Sequence, residues 1–456
     1  MPIVDRFNVD GQDYSIEPVL DAVPIQNSQH AVMSGGVFAD KSNVPVQGST
    51  KNFTAAGAYD FFFNSTTKME WAAKVLGSQL GQGWARTIVG DPNPQETPPS
   101  LSFGAFAYGN GVWVAGATDS CYEGAYYSLD DGVTWQKSDM YSYGSWGLAF
   151  GDGKFVLAAG KAKGLSEQGG LWYSTDGQHW TQSNVTQTAM RDVKYCNGTW
   201  IATAAYISGQ SNGGIYYSSD GENWTLSQNT SGITFTRSCP NEDGSVWIVG
   251  SSQQGLWRSD DGGETFVNVI SVGYVQAIIY GYIFGQGVWV CLSWYNNIAQ
   301  SPSVSDDGIH WTSLGGAPTF TNTTFYDGLY SKKDDLWLGA CVGAGSGTIP
   351  NKGILYSEDG YNFYFADAPA TTTTGYYSVC YANGVYLAGC NDSANTNSGL
   401  YRSTDGKHWT KVLDTKTTTG LFYANGTWVH NGSDPVSRPT EIIKRSSVDM
   451  LMESLT

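Results

Sequence analysis

The segment Ser403-Thr-Asp405-Gly-Lys-His-Trp409 decides the fold, because its pattern recurs along the chain. The pattern is Ser-x-Asp, then Gly, two further residues and an aromatic residue. Seven copies begin at Ser128, Ser174, Ser218, Ser259, Ser305, Ser357 and Ser403. Their spacing of about 45 residues is that of four-stranded propeller blades. The sequence therefore predicts an all-β fold.

Each copy has the chemistry of a tight hairpin turn. The aspartate can accept hydrogen bonds from backbone N–H groups of its own turn, and the glycine supplies a positive φ angle. The aromatic residue can pack beneath the turn, between neighbouring blades. The pattern predicts a structural role, rather than a catalytic one, for Asp130, Asp176, Asp220, Asp261, Asp307, Asp359 and Asp405.

A second hairpin signal alternates with the first. It is an aromatic residue, a Gly turn and another aromatic residue, as in Tyr108-Gly-Asn-Gly-Val-Trp113. Eight such hairpins, two of them weaker, stand against seven Ser-x-Asp turns. The missing half-blade is predicted at the chain ends, where residues 84–89 would pair with residues 442–447 and close the ring. Eight blades are favoured, and seven are the alternative.

Composition excludes several functions. A formal net charge of −17 argues against binding to nucleic acid. No apolar run approaches the roughly 18 residues of a membrane span, and the first residues do not resemble a secretion signal. Seven cysteines without close pairs are expected to be buried thiols in a chain assembled in a reducing cytosol. Neither a cofactor nor a metal site is predicted.

The recurring turn resembles the Asp-box of sialidase-like (BNR-repeat) propellers over residues 84–447. This resemblance implies the fold more than an activity. Sialidases use three arginines, one within an Arg-Ile-Pro motif, and none of the eight arginines here begins such a motif. A glycosidase needs two carboxylates facing each other across the bond, and no motif indicates such a pair. The chain is therefore predicted not to be an enzyme.

The first 82 residues differ from the propeller at 83–456. Val23-Pro-Ile-Gln and Val44-Pro-Val-Gln begin two copies of a 21-residue repeat. The first copy contains Ser34-Gly-Gly-Val-Phe38 and resembles an element common in phage tail-fibre and baseplate proteins. This resemblance implies attachment to other tail proteins through residues 1–82. A capping box at Thr67-Lys-Met-Glu70 predicts a short helix, either packed on the propeller or forming a seam in a trimeric stalk.

The loops on the side opposite the Ser-x-Asp turns vary most between repeats and are the predicted binding face. Aromatic rings there could stack on sugars beside amides that bind hydroxyl groups. The candidate ligand-binding residues are Tyr122, Tyr141, Tyr143, Trp146, Tyr206, Trp294, Tyr295, Asn296 and Asn297. Trp294 is the preferred candidate, and its replacement by alanine is expected to weaken attachment without affecting the fold.

The sequence thus predicts a receptor-binding protein at the tail of a phage or phage-like particle. Its partner would be a host-surface glycan or protein, and its location the virion. A glycan-degrading tail enzyme and a structural decoration protein are the alternatives. Whether the chain is a homotrimer or acts singly stays open.

Overall fold

The structure, a computed structural model, describes residues 6–9, 12–15, 85–88 and 103–446. Within the last range it leaves out residues 118–123, 133, 143, 161–168, 187, 210, 272, 295–301, 315–322, 344–352, 370–374, 392–396, 415–419 and 434–439. All regular elements of the described residues are β-strands. Among these residues no helix is long and apolar enough to cross a membrane.

The chain divides into two compact units, residues 1–85 with 446–456 and residues 86–445. In the first unit, β1 (Arg6–Val9) and β2 (Gln12–Ser15) form an antiparallel hairpin. The 21-residue repeat and the helix predicted to begin after Thr67 lie outside the described residues.

The second unit contains eight four-stranded sheets, the blades. Strand β3 (Ala85–Ile88) precedes blade 1, which consists of β4 (Phe103–Gly109), β5 (Val112–Ala117), β6 (Ala125–Ser128) and β7 (Gln136–Lys137). Blade 2 consists of β8 (Ser145–Gly151), β9 (Lys154–Ala159), β10 (Gly170–Ser174) and β11 (Thr181–Thr186). Blade 3 consists of β12 (Ala189–Cys196), β13 (Thr199–Ile207), β14 (Ser211–Ser218) and β15 (Thr225–Leu226). Blade 4 consists of β16 (Phe235–Pro240), β17 (Trp247–Ser251), β18 (Leu256–Ser259) and β19 (Val267–Ile270).

The remaining blades follow the same order. Blade 5 consists of β20 (Tyr274–Ile283), β21 (Gln286–Trp294), β22 (Ser303–Ser305) and β23 (Thr312–Ser313). Blade 6 consists of β24 (Thr323–Ser331), β25 (Leu336–Gly343), β26 (Gly353–Ser357) and β27 (Tyr364–Phe365). Blade 7 consists of β28 (Gly375–Ala382), β29 (Val385–Asn391), β30 (Gly399–Ser403) and β31 (Thr410–Leu413). Blade 8 contains β32 (Leu421–Ala424), β33 (Thr427–Ser433) and β34 (Thr440–Ser446).

The blades form a closed ring. The first strand of each blade contacts the first strand of the next, from β4 round to β32, and β32 contacts β4. Seven blades are each one continuous segment, whereas the eighth has the strand order β3-β34-β33-β32. The predicted propeller of four-stranded blades is confirmed, with its eighth sheet assembled from both ends of the unit. The alternative of seven blades equals the number of sheets formed by one continuous segment, without the composite eighth sheet.

A buried aromatic residue near the start of the second strand holds each blade together. The eight residues are Trp113, Phe155, Trp200, Trp247, Trp289, Trp337, Tyr386 and Trp428, all at most 3% exposed. In seven blades this ring packs at a tilted or edge-on angle against an aromatic ring of the first strand, as Trp200 does against Tyr195, with the ring centroids 4.7 Å apart. The second hairpin signal of the sequence, an aromatic residue on each side of a Gly turn, therefore marks this ring pair and the turn that joins its two strands.

One of these turns breaks the common pattern. Type I′ turns need positive φ at both central residues, a conformation that Asn and Asp tolerate best among non-glycine residues. Asn110, Asp152, Asn197, Asn383 and Asn425 occupy the first central position in five blades, all at positive φ. Blade 5 has Phe284 there, at φ 49° and 96% exposed. Its ring contributes little burial to offset the strained backbone.

We expect Phe284→Asn to stabilise the propeller by about 1 kcal/mol, because asparagine relieves the strain and removes an exposed ring. Thermal unfolding of the full chain should show a higher midpoint. Asn383→Phe, which makes the reverse change in blade 7, should lower it. An unchanged midpoint in both variants would contradict this explanation.

The cysteines of the described residues are free thiols, and Cys121 lies outside that part of the chain. Burial raises the pKa of Cys239 to about 11 and that of Cys291 to about 12. Thiols held protonated at neutral pH are poor nucleophiles and metal ligands. These side chains therefore act as small core residues.

Candidate functional site: the channel mouth

Strand direction gives the blades two distinct ends. We call the end with the first hairpin turn and the Ser-x-Asp turn the turn face. The opposite end, which has the second-to-third-strand loops and the connections between blades, is the loop face. Because the strands of a blade alternate in direction, every first strand begins at the loop face.

A central channel runs along the first strands. It encloses a cavity of about 480 Å³, lined by residues from the first strands of all eight blades. Its charged lining residues are Asp192, Lys194, Arg237 and Asp327. The described residues hold no cluster of three or more His, Cys, Asp or Glu side chains suited to a metal ion.

A β-bulge recurs where the first strands begin. In blades 1 to 7 the pairing between the first and second strands shifts register within the first few residues. A bulge re-aims side chains and is common beside functional sites. The residues at these shifts are Gly104, Trp146, Arg191, Thr236, Arg237, Gln276, Tyr326 and Tyr377. We call Trp146, Arg191, Arg237, Tyr326 and Tyr377 the bulge ring, and the loop-face end of the channel, where these residues lie, the channel mouth.

On one side of the channel the bulge ring is aromatic and cationic. The Trp146 side chain is 47% exposed, and the Arg191 guanidinium carbon lies 5.7 Å from its ring centroid. A Cβ added to Gly160 would lie 2.7 Å from Trp146 Nε1, so the indole packs directly on this glycine. Arg237 Nη1 donates to Asp192 Oδ1 at 3.3 Å. Arg191 thus lies beside an exposed indole, and Arg237 occupies the bulge of the next blade.

On another side the bulge ring consists of tyrosines. The rings of Tyr326 and Tyr377 lie 4.7 Å apart between centroids, tilted by 45°. Burial raises the pKa of both phenols. They stay protonated at neutral pH and can donate hydrogen bonds into the channel.

Two buried carboxylates follow the bulges and join neighbouring blades. Asp192 Oδ2 accepts the backbone N–H and the hydroxyl of Ser238 in blade 4, both at 3.0 Å. Asp327 Oδ2 accepts the Val379 N–H of blade 7 at 3.0 Å, and its Oδ1 accepts the Gly328 N–H at 2.9 Å. Burial raises the pKa of Asp327, against the opposing effects of these hydrogen bonds and of Arg237. Both side chains occupy the same structural position and hold adjacent blades together.

Four of the nine predicted binding residues belong to the described part of the chain. Trp146 belongs to the bulge ring, while Tyr141 and Tyr206 are 55% and 49% exposed at the loop face. Trp294 ends β21, where its backbone pairs with Tyr274. Tyr122, Tyr143, Tyr295, Asn296 and Asn297 lie outside the described residues.

The sequence prediction missed the other members of the bulge ring. A signal was present: Arg191 precedes Asn197 by six residues, as Trp146 precedes Asp152 and Tyr377 precedes Asn383. The same offset from the hairpin turn therefore finds three of the five ring residues.

The Ser-x-Asp aspartates lie at the turn face. In the blade 2 turn, Asp176 Oδ1 accepts the N–H groups of Gln178 and His179 at 2.8 and 2.9 Å. Trp180 Nε1 donates to the Gly177 carbonyl at 2.9 Å. The carboxylates of Asp130, Asp220, Asp261, Asp307, Asp359 and Asp405 accept backbone N–H groups in the same way. None of the seven aspartates lines the channel cavity.

These hydrogen bonds make the fold sensitive to acid. Burial raises the pKa of Asp176, but the bonds from His179, Gln178 and Ser174 outweigh it and lower the pKa to about 2. An unfolded aspartate titrates near pH 3.9. The resulting stabilisation is complete above that value and is lost as the pH falls towards 2.

We therefore expect the thermal midpoint to fall between about pH 4 and pH 2. The fall should be smaller in Asp176→Asn, which lowers the midpoint at pH 6 but has one carboxylate fewer to protonate. Asp152→Asn, an exposed change outside these turns, is the control and should keep the wild-type slope. A wild-type slope in Asp176→Asn would contradict the assignment.

The fold defines the class of the protein, an all-β propeller with four-stranded blades, and solved structures match it. The computationally designed Ika8 protein matches with a TM-score of 0.54 and 11% identity, over 79% of this chain and 99% of that one. The Dos1 propeller matches with a TM-score of 0.54 and 10% identity, over 80% and 94% of the two chains. The GH74 enzyme of Niastella koreensis matches with a TM-score of 0.39 and 15% identity, over 73% and 62%.

No family model and no curated protein matches the chain. Identities this low show a shared fold and nothing about activity. The function must therefore be argued from the channel mouth itself.

Proposed function

We propose that the chain is a receptor-binding tail protein of a phage or phage-like particle and binds a host-surface glycan at its channel mouth. The observation that supports binding there is the exposed indole of Trp146, fixed between Gly160 and Arg191 at the edge of a polar cavity. A rigid aromatic face beside a few convergent polar groups suits a sugar ring.

The placement in a tail rests on the sequence of residues 1–82. The repeat beginning at Val23 and Val44 resembles an element of tail-fibre and baseplate proteins. In this proposal residues 1–82 bind other tail proteins, and the propeller presents its loop face to the host. Electron microscopy of the parent particle with an antibody against the propeller would test it. Labelling confined to the tail is expected, and absence of the chain from purified particles would contradict it.

The binding experiment uses the purified full chain on an array of bacterial surface glycans. Trp146→Ala should weaken binding at least tenfold, because it removes the stacking platform. Tyr361→Ala is the matched control, since Tyr361 is 41% exposed but lies in a Ser-x-Asp turn at the other face. It should bind like the wild type. Equal losses in both variants would exclude the channel mouth as the binding site.

The structure offers a second candidate, a glycosidase, in the two channel carboxylates. Burial raises the pKa of Asp327, as general acids require. However, both oxygens of Asp327 accept backbone N–H groups, and Asp192 is occupied by Ser238 and Arg237. We therefore expect no release of oligosaccharides from a bound polysaccharide. Release that Asp327→Asn abolishes would favour the enzyme.

A further inference from the structure

The channel mouth has a local charge opposite in sign to the net charge of the chain. The net charge is −17, yet Arg191 and Arg237 stand on neighbouring blades at the bulges, and Lys194 lines the cavity nearby. Asp192 and Asp327 are the carboxylates among the described lining residues. Three cationic side chains therefore stand against two carboxylates, and Asp192 is paired with Arg237. The local balance is therefore cationic.

We propose that this channel mouth binds the anionic substituent of an acidic glycan, a carboxylate or a phosphate group, between Arg191 and Arg237. The inference rests on the proposed function, because it specifies the class of glycan bound there. It assigns the sugar ring to Trp146 and the charged substituent to the two guanidinium groups.

Arg191 is available for such a group. Its guanidinium lies over the Trp146 ring, and no described carboxylate forms an ion pair with it. The indole holds the side chain in place through its face and leaves the N–H donors at the edge of the guanidinium plane free for a ligand.

Arg237 retains donors as well. Its only described ion pair uses Nη1, at 3.3 Å from Asp192 Oδ1. A guanidinium has five N–H donors in a fixed plane, so the remaining donors can bind carboxylate or phosphate oxygens. Asp192 is itself fixed by Ser238, which holds the Arg237 head in position.

The surroundings strengthen an interaction with an anion. A cleft with low-dielectric walls focuses the field of its charges, so cations at its mouth act over a longer distance than they would on an open surface. The acidic groups of the Ser-x-Asp turns lie at the opposite face. An acidic polymer is thus directed towards the loop face.

The test compares matched ligands on the full chain. One oligosaccharide contains uronic acids, a second is the same oligosaccharide with its carboxyl groups reduced to alcohols, and a third contains a sugar phosphate. The wild type should bind at least one acidic form ten times more tightly than the reduced form. The preference should shrink between 50 and 300 mM NaCl, because exposed ionic contacts are screened by salt.

Arg191→Gln should lose about tenfold in affinity for the acidic form and less than twofold for the reduced form. Arg237→Gln should show the same selectivity, but Arg191→Gln is the safer variant because Arg191 has no structural ion pair among the described residues. Lys332→Gln, which removes one positive charge at the turn face, is the charge-matched control and should bind like the wild type. The melting temperature of each variant checks its fold.

The outcomes separate the two proposals. Binding of the reduced form with equal affinity, dependent on Trp146 but not on Arg191, would overturn the anion site and leave glycan binding intact. A loss in Lys332→Gln equal to that in Arg191→Gln would also overturn it, as a general charge effect. A chain that binds none of the glycans on the array would contradict the proposed function and this inference with it.

Discussion

Trp337→Ala should lower the free energy of unfolding of the propeller by about 3–5 kcal/mol, the cost of emptying a buried aromatic site. Trp337 is fully buried in a cluster that joins blades 5 and 6. A Cβ on Gly281 of blade 5 would lie 2.6 Å from its Cη2 atom, so the indole fits closely against the neighbouring blade. Alanine would leave a cavity that two rigid sheets cannot fill.

Urea unfolding of the full chain measures this loss. Trp337→Phe should lose about half as much, since Phe155 occupies the corresponding place in blade 2. Trp146→Ala, which removes a half-exposed tryptophan, should cost less than about 1 kcal/mol. If Trp337→Ala were no more destabilising than Trp146→Ala, the inter-blade packing described above would be incorrect.

The second large effect concerns the eighth blade. The double variant Arg86→Pro with Thr87→Pro should lower the free energy of unfolding by about 3–5 kcal/mol. One of two adjacent strand residues must donate its backbone N–H to the β3–β34 ladder, and proline has no N–H to donate. The loss is large because β3 is the sheet's link between the two ends of the propeller unit. Without it, among the described strands, blades 8 and 1 are held together mainly by the contacts of β32 and β33 with β4.

Prolines at 136 and 137 provide the control. These residues form β7, the outer strand of blade 1, which pairs with β6 but joins no chain ends. We expect a loss of about 1–2 kcal/mol there, limited to one blade. Limited proteolysis should cut the β3 variant throughout blades 8 and 1. If both variants lost the same free energy of unfolding, the pairing of β3 with β34 would contribute no more to stability than that of any outer strand.

Local features of the fold were predictable from the sequence. The pair Tyr195 and Trp200 lies on either side of its turn, and Ser174 and Asp176 belong to one turn, so short-range chemistry determines both. Even the pairing of β3 with β34 could be predicted, because the eighth repeat lacked one hairpin, and one strand of that hairpin was found at each end of the chain.

The bulge ring was harder to predict from the sequence. Arg191 and Arg237 occupy corresponding positions on neighbouring blades only because a register shift recurs in successive first strands around a closed ring. The offset from the hairpin turn finds three members of the ring but does not reveal the register shift itself. Hydrophobic alternation does not encode the shift either, since a bulge changes which residue faces the channel. Trp146 was predicted as an exposed loop aromatic, but its partners depend on contacts between blades.

The two-ended eighth blade also has a consequence for biosynthesis. Strand β3 leaves the ribosome before any blade, whereas its partner β34 follows only after the other seven. At about 5–20 residues per second, the ribosome needs on the order of half a minute to synthesise the seven blades that separate β3 from β34. During this time β3 has no native partner, and the partly built ring exposes the side of β4 that β32 later covers. Translation speed and chaperones that shield strand edges should therefore influence the yield of folded chain more than they would for a propeller with every blade continuous.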